Sequence, residues 1–305
     1  MTENIKRIFD ENIVLLGETD KAIQYFREQQ YDKALSTLAH SMDQVKTIVE
    51  AIITDRSYFN LVETDAVIDM LQRILEAKKN RDYVLLADLL ELQLGSFLNS
   101  VQELIIRKEE ILFDEEHYSG NVKLVTEIEP ILLKQLEKPI NPGQLLEDGY
   151  RVEFTSCGLM TLAAENAGAK FYFHTNNHII SEAFSLARRW YQPGVKRYVI
   201  YGFAMGYHIR ELLTIAPEAF IEVYETDANV IQLACAFTNV KELFNEDKVT
   251  LIYDPNCERL KKRIAVLTDE ENLVIHYPSY QNMRCPEGRD ILEMFVPWSK
   301  TIESC

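Results

Sequence analysis

No proline occurs before position 130 in this 305-residue chain, and only Gly17, Gly95 and Gly120 of its 11 glycines fall in that stretch. Proline costs about 3 kcal/mol inside a helix and glycine about 1, so the lack of breakers over residues 1–129 predicts helix nearly throughout. Basic residues are also scarce. Lys and Arg number 32 against 48 Asp and Glu, a net charge of −16, and the short basic clusters at 78–81, 188–189 and 261–263 are flanked by acids or apolar faces. A polyphosphate backbone would be repelled, so no nucleic-acid partner is expected. Runs approaching the ~20 apolar residues that cross a bilayer are missing too. The start, Met1-Thr2-Glu3-Asn4, lacks the charged-then-apolar layout of a secretory signal. No membrane partner is expected, and the cytoplasm is the expected location. Cysteine is sparse: Cys157, Cys235, Cys257, Cys285 and Cys305 form an odd set without a Cys-x-x-Cys pair. Neither a disulfide framework nor a zinc ribbon follows, and reduced thiols are expected.

What is present is the balance of a folded chain, 47% apolar and 26% charged, long enough at roughly 100–200 residues per domain for two domains. Within 1–129, Leu35, Leu38, Met42, Val45, Val49 and Ile52 recur at helical spacing, as do Val84, Leu85, Leu89, Leu92 and Phe97 approximately. Each set predicts one buried stripe of a helical bundle. The segment Tyr31-Asp32-Lys33-Ala34-Leu35 looks like a helical-repeat opening, but no second copy follows at the ~34-residue period of such arrays. Acids outnumber bases 26 to 16 over residues 1–140, which suits a solvated or partner-facing exterior. Residues 130–149 are rich in turn signals and read as a connector.

From residue 150 the pattern changes. Short alternating or aromatic runs at 151–154, 159–162 and 170–173 predict a small antiparallel sheet. Apolar runs at 198–201, 220–224, 249–253 and 273–276 then alternate with helical stretches at 206–215, 227–237 and 256–267. Such alternation predicts a parallel sheet with helices on its faces. The expected fold class is α/β: an N-terminal all-α helical bundle (1–129), a linker (130–149) and a reduced Rossmann-like, methyltransferase-like sheet with a small antiparallel β extension (150–305).

The first parallel strand runs into Gly202-Phe203-Ala204-Met205-Gly206-Tyr207-His208, a glycine-bearing turn that opens a helix. Glycine there lets backbone approach a ligand, and the free N–H groups of a first helical turn attract anions. Glu225 lies 23 residues beyond Gly202, close to the ~20-residue offset at which an acid accepts ribose hydroxyls. Asp227 is its neighbour and a candidate helix cap. Asp254 and His276 end the third and fourth parallel strands, where ligands of open α/β sheets bind. Gly202, Ala204, Gly206, Tyr207, His208, Glu225, Asp227, Asp254 and His276 are therefore the candidate cofactor-binding residues, with S-adenosylmethionine or a nucleotide as ligand. His174, His178 and Glu182 are further candidates. His174 and His178 are four apart but span a strand-to-helix turn, so no metal is expected. No Gly-x-Ser-x-Gly elbow and no Walker loop is present, and no catalytic residue is assigned.

The runs Phe173-His174-Thr175-Asn176-Asn177-His178-Ile179-Ile180-Ser181-Glu182-Ala183, Tyr201-Gly202-Phe203-Ala204-Met205-Gly206-Tyr207-His208 and Glu222-Val223-Tyr224-Glu225-Thr226-Asp227 resemble the N-terminal domain of the bacterial motility accessory factors. That family attaches nonulosonic acids to flagellin. The resemblance covers residues 160–280 approximately and does not extend to the family's central glycosyltransferase domain. It implies a binding or scaffold protein of flagellin glycosylation, with a nucleoside or nucleotide ligand or a protein partner, and no sugar transfer of its own. Two alternatives stand beside it: an S-adenosylmethionine-dependent methyltransferase, and a non-catalytic protein-interaction module.

Overall fold

The computed structural model describes residues 1–109, 113–166, 168–244 and 247–295, so Cys305 lies outside the described residues. The chain forms two compact units. Met1–Leu112 makes the first, together with Phe154–Leu159 and Asn176–Ser181. The rest makes the second: Phe113–Glu153, Met160–Thr175 and Glu182–Cys305.

The first unit is helical, as the missing breakers predict. Its helices are Glu3–Arg27, Tyr31–Thr54 and Thr64–Lys79, then an unbroken run of Tyr83–Leu89, the π-helical turn Leu90–Leu94 and Gly95–Lys108. Local capping fixes where elements begin. Thr2 Oγ1 accepts the Ile5 amide (3.4 Å) and Asp82 Oδ1 accepts the Leu85 amide (3.0 Å), each satisfying an orphan donor of a first turn. Leu38, Val45 and Ile52 of the expected stripe are buried, with Leu35, Met42 and Val49 packed against them. The second stripe is displaced: Val84, Leu85 and Leu92 are exposed, and the core face is Leu86, Leu90, Leu94 and Leu98. A four-residue spacing drifts around a 3.6-residue helix; the wider π turn absorbs that drift and keeps all four inward. A buried polar lock crosses the bundle, with Asn12 Nδ2 donating to Leu98 O (2.8 Å) and Gln102 Oε1 (2.7 Å).

The run Tyr83–Lys108 is long and apolar enough, by length and composition, to cross a membrane, which corrects the expectation that no stretch reaches that length. Its Leu86, Leu90, Leu94, Leu98 and Val101 belong to the first unit's core, and the core helix of a compact domain passes the same test.

The second unit begins earlier than its composition suggests. The helix Glu115–Ile128 belongs to it, with Asn121 Nδ2 donating to Cys235 O (2.8 Å) and Gln232 Nε2 donating to the Tyr118 hydroxyl (2.9 Å), both buried. The unit boundary therefore lies at 112–113, not at 129. Nor is 130–149 a bare connector: it carries a 3₁₀ turn at Pro130–Leu132 and short helices at Leu133–Leu136 and Pro142–Glu147. The last starts with proline in its first turn, where the missing N–H costs nothing, and Asn141 Oδ1 accepts the Gln144 amide (3.2 Å).

Two sheets follow. Strands β1 (Tyr150–Phe154), β2 (Met160–Asn166) and β3 (Ala169–Tyr172) form the small sheet in that order, β2 and β3 antiparallel. Strands β4 (Arg197–Tyr201), β5 (Phe220–Glu225), β6 (Val249–Tyr253) and β7 (Glu271–Ile275) form a parallel sheet in the order β6-β5-β4-β7. Tyr198, Val199, Ile200 and Tyr201 are all buried, as a strand covered on both faces requires. Counted from β4, the order is 3-2-1-4, the opening of the doubly wound Rossmann order. Its direction reverses between β4 and β7, so the crevice outside their carboxyl ends is where a ligand would be sought.

Candidate functional site

The turn that leaves β4 has the conformation that glycine permits. Gly202 has φ +105° and Gly206 φ +78°, and Ala204 also adopts a left-handed φ of +47°. Gly202 is obligatory on space as well as on φ: a Cβ there would stand 2.4 Å from Ser279 Cβ and 3.0 Å from His276 Cβ. Gly206 caps the helix Tyr207–Ile215. The strand-turn-helix read from the sequence is thus present.

The acid at the end of β5 does not face an open pocket. Glu225 is 2% exposed. Its Oε2 accepts the Phe203 amide (3.0 Å), and its Oε1 accepts the amides of Thr226 (2.8 Å) and Asp227 (3.0 Å). The turn and the acid meet as the spacing implies, but they satisfy each other. Burial lifts the Glu225 carboxyl to about 7, with the three amides pulling the opposite way. Every residue from Gly202 to Gly206 is buried.

The neighbouring candidates are similarly engaged. Asp227 Oδ1 caps the helix Ala228–Phe237 through the Asn229 amide (2.9 Å), while its Oδ2 accepts the Tyr150 hydroxyl. Asp254, 4% exposed, accepts the Leu260 amide (2.8 Å). The Tyr207 hydroxyl donates to Met160 O (2.9 Å), and Glu182 Oε2 accepts the Thr175 amide (2.6 Å).

The histidines divide. His178 is exposed in the first unit, where its Nδ1 lies 3.3 Å from Asp20 Oδ2 and the carboxylate raises its pKa. His174, His208 and His276 instead gather at the switch point of the second unit, with one ring nitrogen of each within 4.8 Å of the others. They come from the segment after β3, the helix after β4 and the end of β7. The rings of His208 and His276 stack at 4.4 Å and 2°, and His174 sits 5.8 and 5.2 Å from them. His208 Nε2 donates to Gly202 O (3.0 Å), and His276 Nδ1 is 2.7 Å from Ser279 Oγ. His174 Nε2 and His208 Nδ1 are buried without a hydrogen-bond partner. Burial lowers all three pKa values, that of His208 to about 4, and mutual repulsion lowers those of His174 and His276 further.

Residues 4–104 match a domain of unknown function, DUF8042. Neither a curated protein nor a solved structure matches the chain. The matched stretch lies within the helical unit, so the switch-point cluster must be interpreted from its own chemistry.

Sequence spacing could not have found that cluster. His174, His208 and His276 are 34 and 68 residues apart, and only the 3-2-1-4 order brings the ends of β4 and β7 side by side. The pair spaced as a metal motif, His174 and His178, is divided between the two units. An open cleft of about 500 Å³ lies elsewhere on the second unit, lined by Asp114, His117, Asn121, Asn239 and Lys241 among others; none of these was singled out from the sequence.

Proposed function

We propose that the protein is a non-transferase accessory or scaffold protein whose Rossmann-like unit keeps the fold of a nucleotide-binding sheet while its strand-end corner is closed. One observation carries the reading: the Glu225 carboxylate is filled by three main-chain amides, including Phe203 of the very turn that would hold a ligand. A ribose or a methionine carboxylate would have to displace those bonds and desolvate the same polar groups a second time. This weighs against the S-adenosylmethionine methyltransferase reading and against a nucleotide seated in the same corner. The resemblance to the motility accessory factors supplies the context, protein glycosylation. The four described cysteines are free and buried, which suits the cytoplasm.

A thermal-shift panel of S-adenosylmethionine, its demethylated product, cytidine and uridine nucleotides and nucleotide sugars tests the reading. No shift is expected. A ligand at 100 times its Kd would stabilise the folded state by about 2.7 kcal/mol, so a reproducible rise of several degrees that Glu225→Ala abolishes would replace the scaffold by a binding protein. Transfer of an activated nonulosonic acid to a flagellin peptide by the purified chain would overturn it altogether.

A further inference from the structure

We propose that His174, His208 and His276 bind a divalent first-row transition ion, zinc foremost, as a structural staple at the switch point of the parallel sheet. The proposal goes beyond the accessory reading and does not depend on it.

Convergence is the first argument. Three imidazoles from three separate elements place ring nitrogens within 4.8 Å of one another; bonds of about 2.0–2.1 Å to zinc require one of the stacked His208 and His276 rings to turn so that both lone pairs meet at the ion. Two orphaned nitrogens lie in the same cluster. His174 and His208 are 2% and 0% exposed, and His174 Nε2 and His208 Nδ1 have no hydrogen-bond partner. Leaving a buried polar atom unsatisfied is costly, and two in one cluster call for a shared partner.

Second-sphere chemistry agrees. The Gly202 carbonyl can only accept, so it fixes the proton of His208 on Nε2 and leaves Nδ1 as the lone-pair donor, the arrangement that orients most metal-binding histidines. Ser279 Oγ, which can donate or accept, lies 2.7 Å from His276 Nδ1, and the ion would displace the hydrogen bond that His276 makes to the Phe173 backbone. An all-imidazole set suits zinc and its neighbours and disfavours calcium or magnesium, which take oxygen ligands. A fourth position would fall to water. Because the cluster is buried, the ion enters as the unit folds or opens locally, and its binding energy adds to folding.

The test uses the full chain, unfolded, stripped with a chelator, and refolded with and without zinc or cobalt. About one ion per chain is expected after desalting, with visible cobalt bands of a low-coordinate nitrogen site and a zinc-dependent rise in melting temperature. His208→Gln and His276→Gln should weaken zinc binding by about 10- to 100-fold or more, with circular dichroism checking that each variant folds. His40→Ala with His178→Ala, which removes two exposed imidazoles, should retain the ion. If the refolded wild-type chain holds no zinc and shows no cobalt band, the orphan nitrogens share water and the proposal fails. Metal that survives His208→Gln but is lost from the surface double variant is adventitious, and this also overturns it.

Discussion

Glu225 is the residue on which the functional reading turns, and it makes a pH prediction. Its folded carboxyl lies at about 7, above the ~4.3 of an unfolded glutamate. The folded state therefore keeps a proton that the unfolded state releases. The resulting contribution is full below about pH 4 and is lost as the pH rises through about 7, a change of about 3–4 kcal/mol. Glu225→Gln has no such proton, so the stability of the wild type relative to the variant should fall by about that amount between pH 4 and 8. Urea unfolding at a series of pH values measures it, and a constant difference would show that the carboxyl titrates alike in the folded and unfolded states. Gly202→Ala should cost about 2–4 kcal/mol, since φ +105° and a 2.4 Å approach to Ser279 Cβ act together. The sequence made Gly202 and Glu225 legible as neighbours because strand spacing dictates which turn meets which strand end. It could not show that the carboxylate turns onto its own backbone, because side-chain direction is decided by packing.

Among elements, the parallel sheet was the most legible part. Continuous apolar runs placed all its strands within two residues of their observed ends, because a strand buried on both faces has little room for polar side chains. The helix Glu115–Ile128 was misassigned because its amphipathic composition matches that of the preceding bundle; its unit is revealed by contacts such as those of Asn121 with Cys235 and Tyr118 with Gln232. Asn121→Ala would strand the buried Cys235 carbonyl and should destabilise the second unit by about 1–3 kcal/mol in denaturant unfolding. Across the sheet, Arg263 bridges Glu222 on β5 and Glu271 on β7. Its guanidinium holds the Glu271 carboxyl down at about 2. In Arg263→Met that carboxyl should titrate nearer the ordinary ~4.3, as carbon-13 NMR of the side chain would follow. A titration unchanged from wild type would mean that Arg197, 3.5 Å from Glu271, suffices alone.

At the scale of the whole molecule, the described chain is laced. It leaves the first unit after Leu112, returns for Phe154–Leu159, and returns again for Asn176–Ser181. Those returns are integral to the first unit: Cys157 joins its core, Ile180 covers Gly17 at 2.7 Å from the position of a Cβ, and Ser181 accepts from Gln24 (2.6 Å). A fragment of residues 1–112 should therefore bind a hydrophobic dye more strongly and melt less cooperatively than the same unit in the intact chain; a sharp transition at the parent temperature would contradict this. Two-part composition was legible, but the returns were not, because short segments of ordinary loop sequence carry no mark of which core they enter.

That lacing sets an order of assembly during synthesis. The bundle's helices leave the ribosome by residue 112, yet the last of its segments ends at Ser181. At about 5–20 residues per second, the nascent bundle waits on the order of several seconds with Gly17 and Gln24 uncovered. For that interval the surface that Cys157 and Ile180 cover in the folded unit faces solvent.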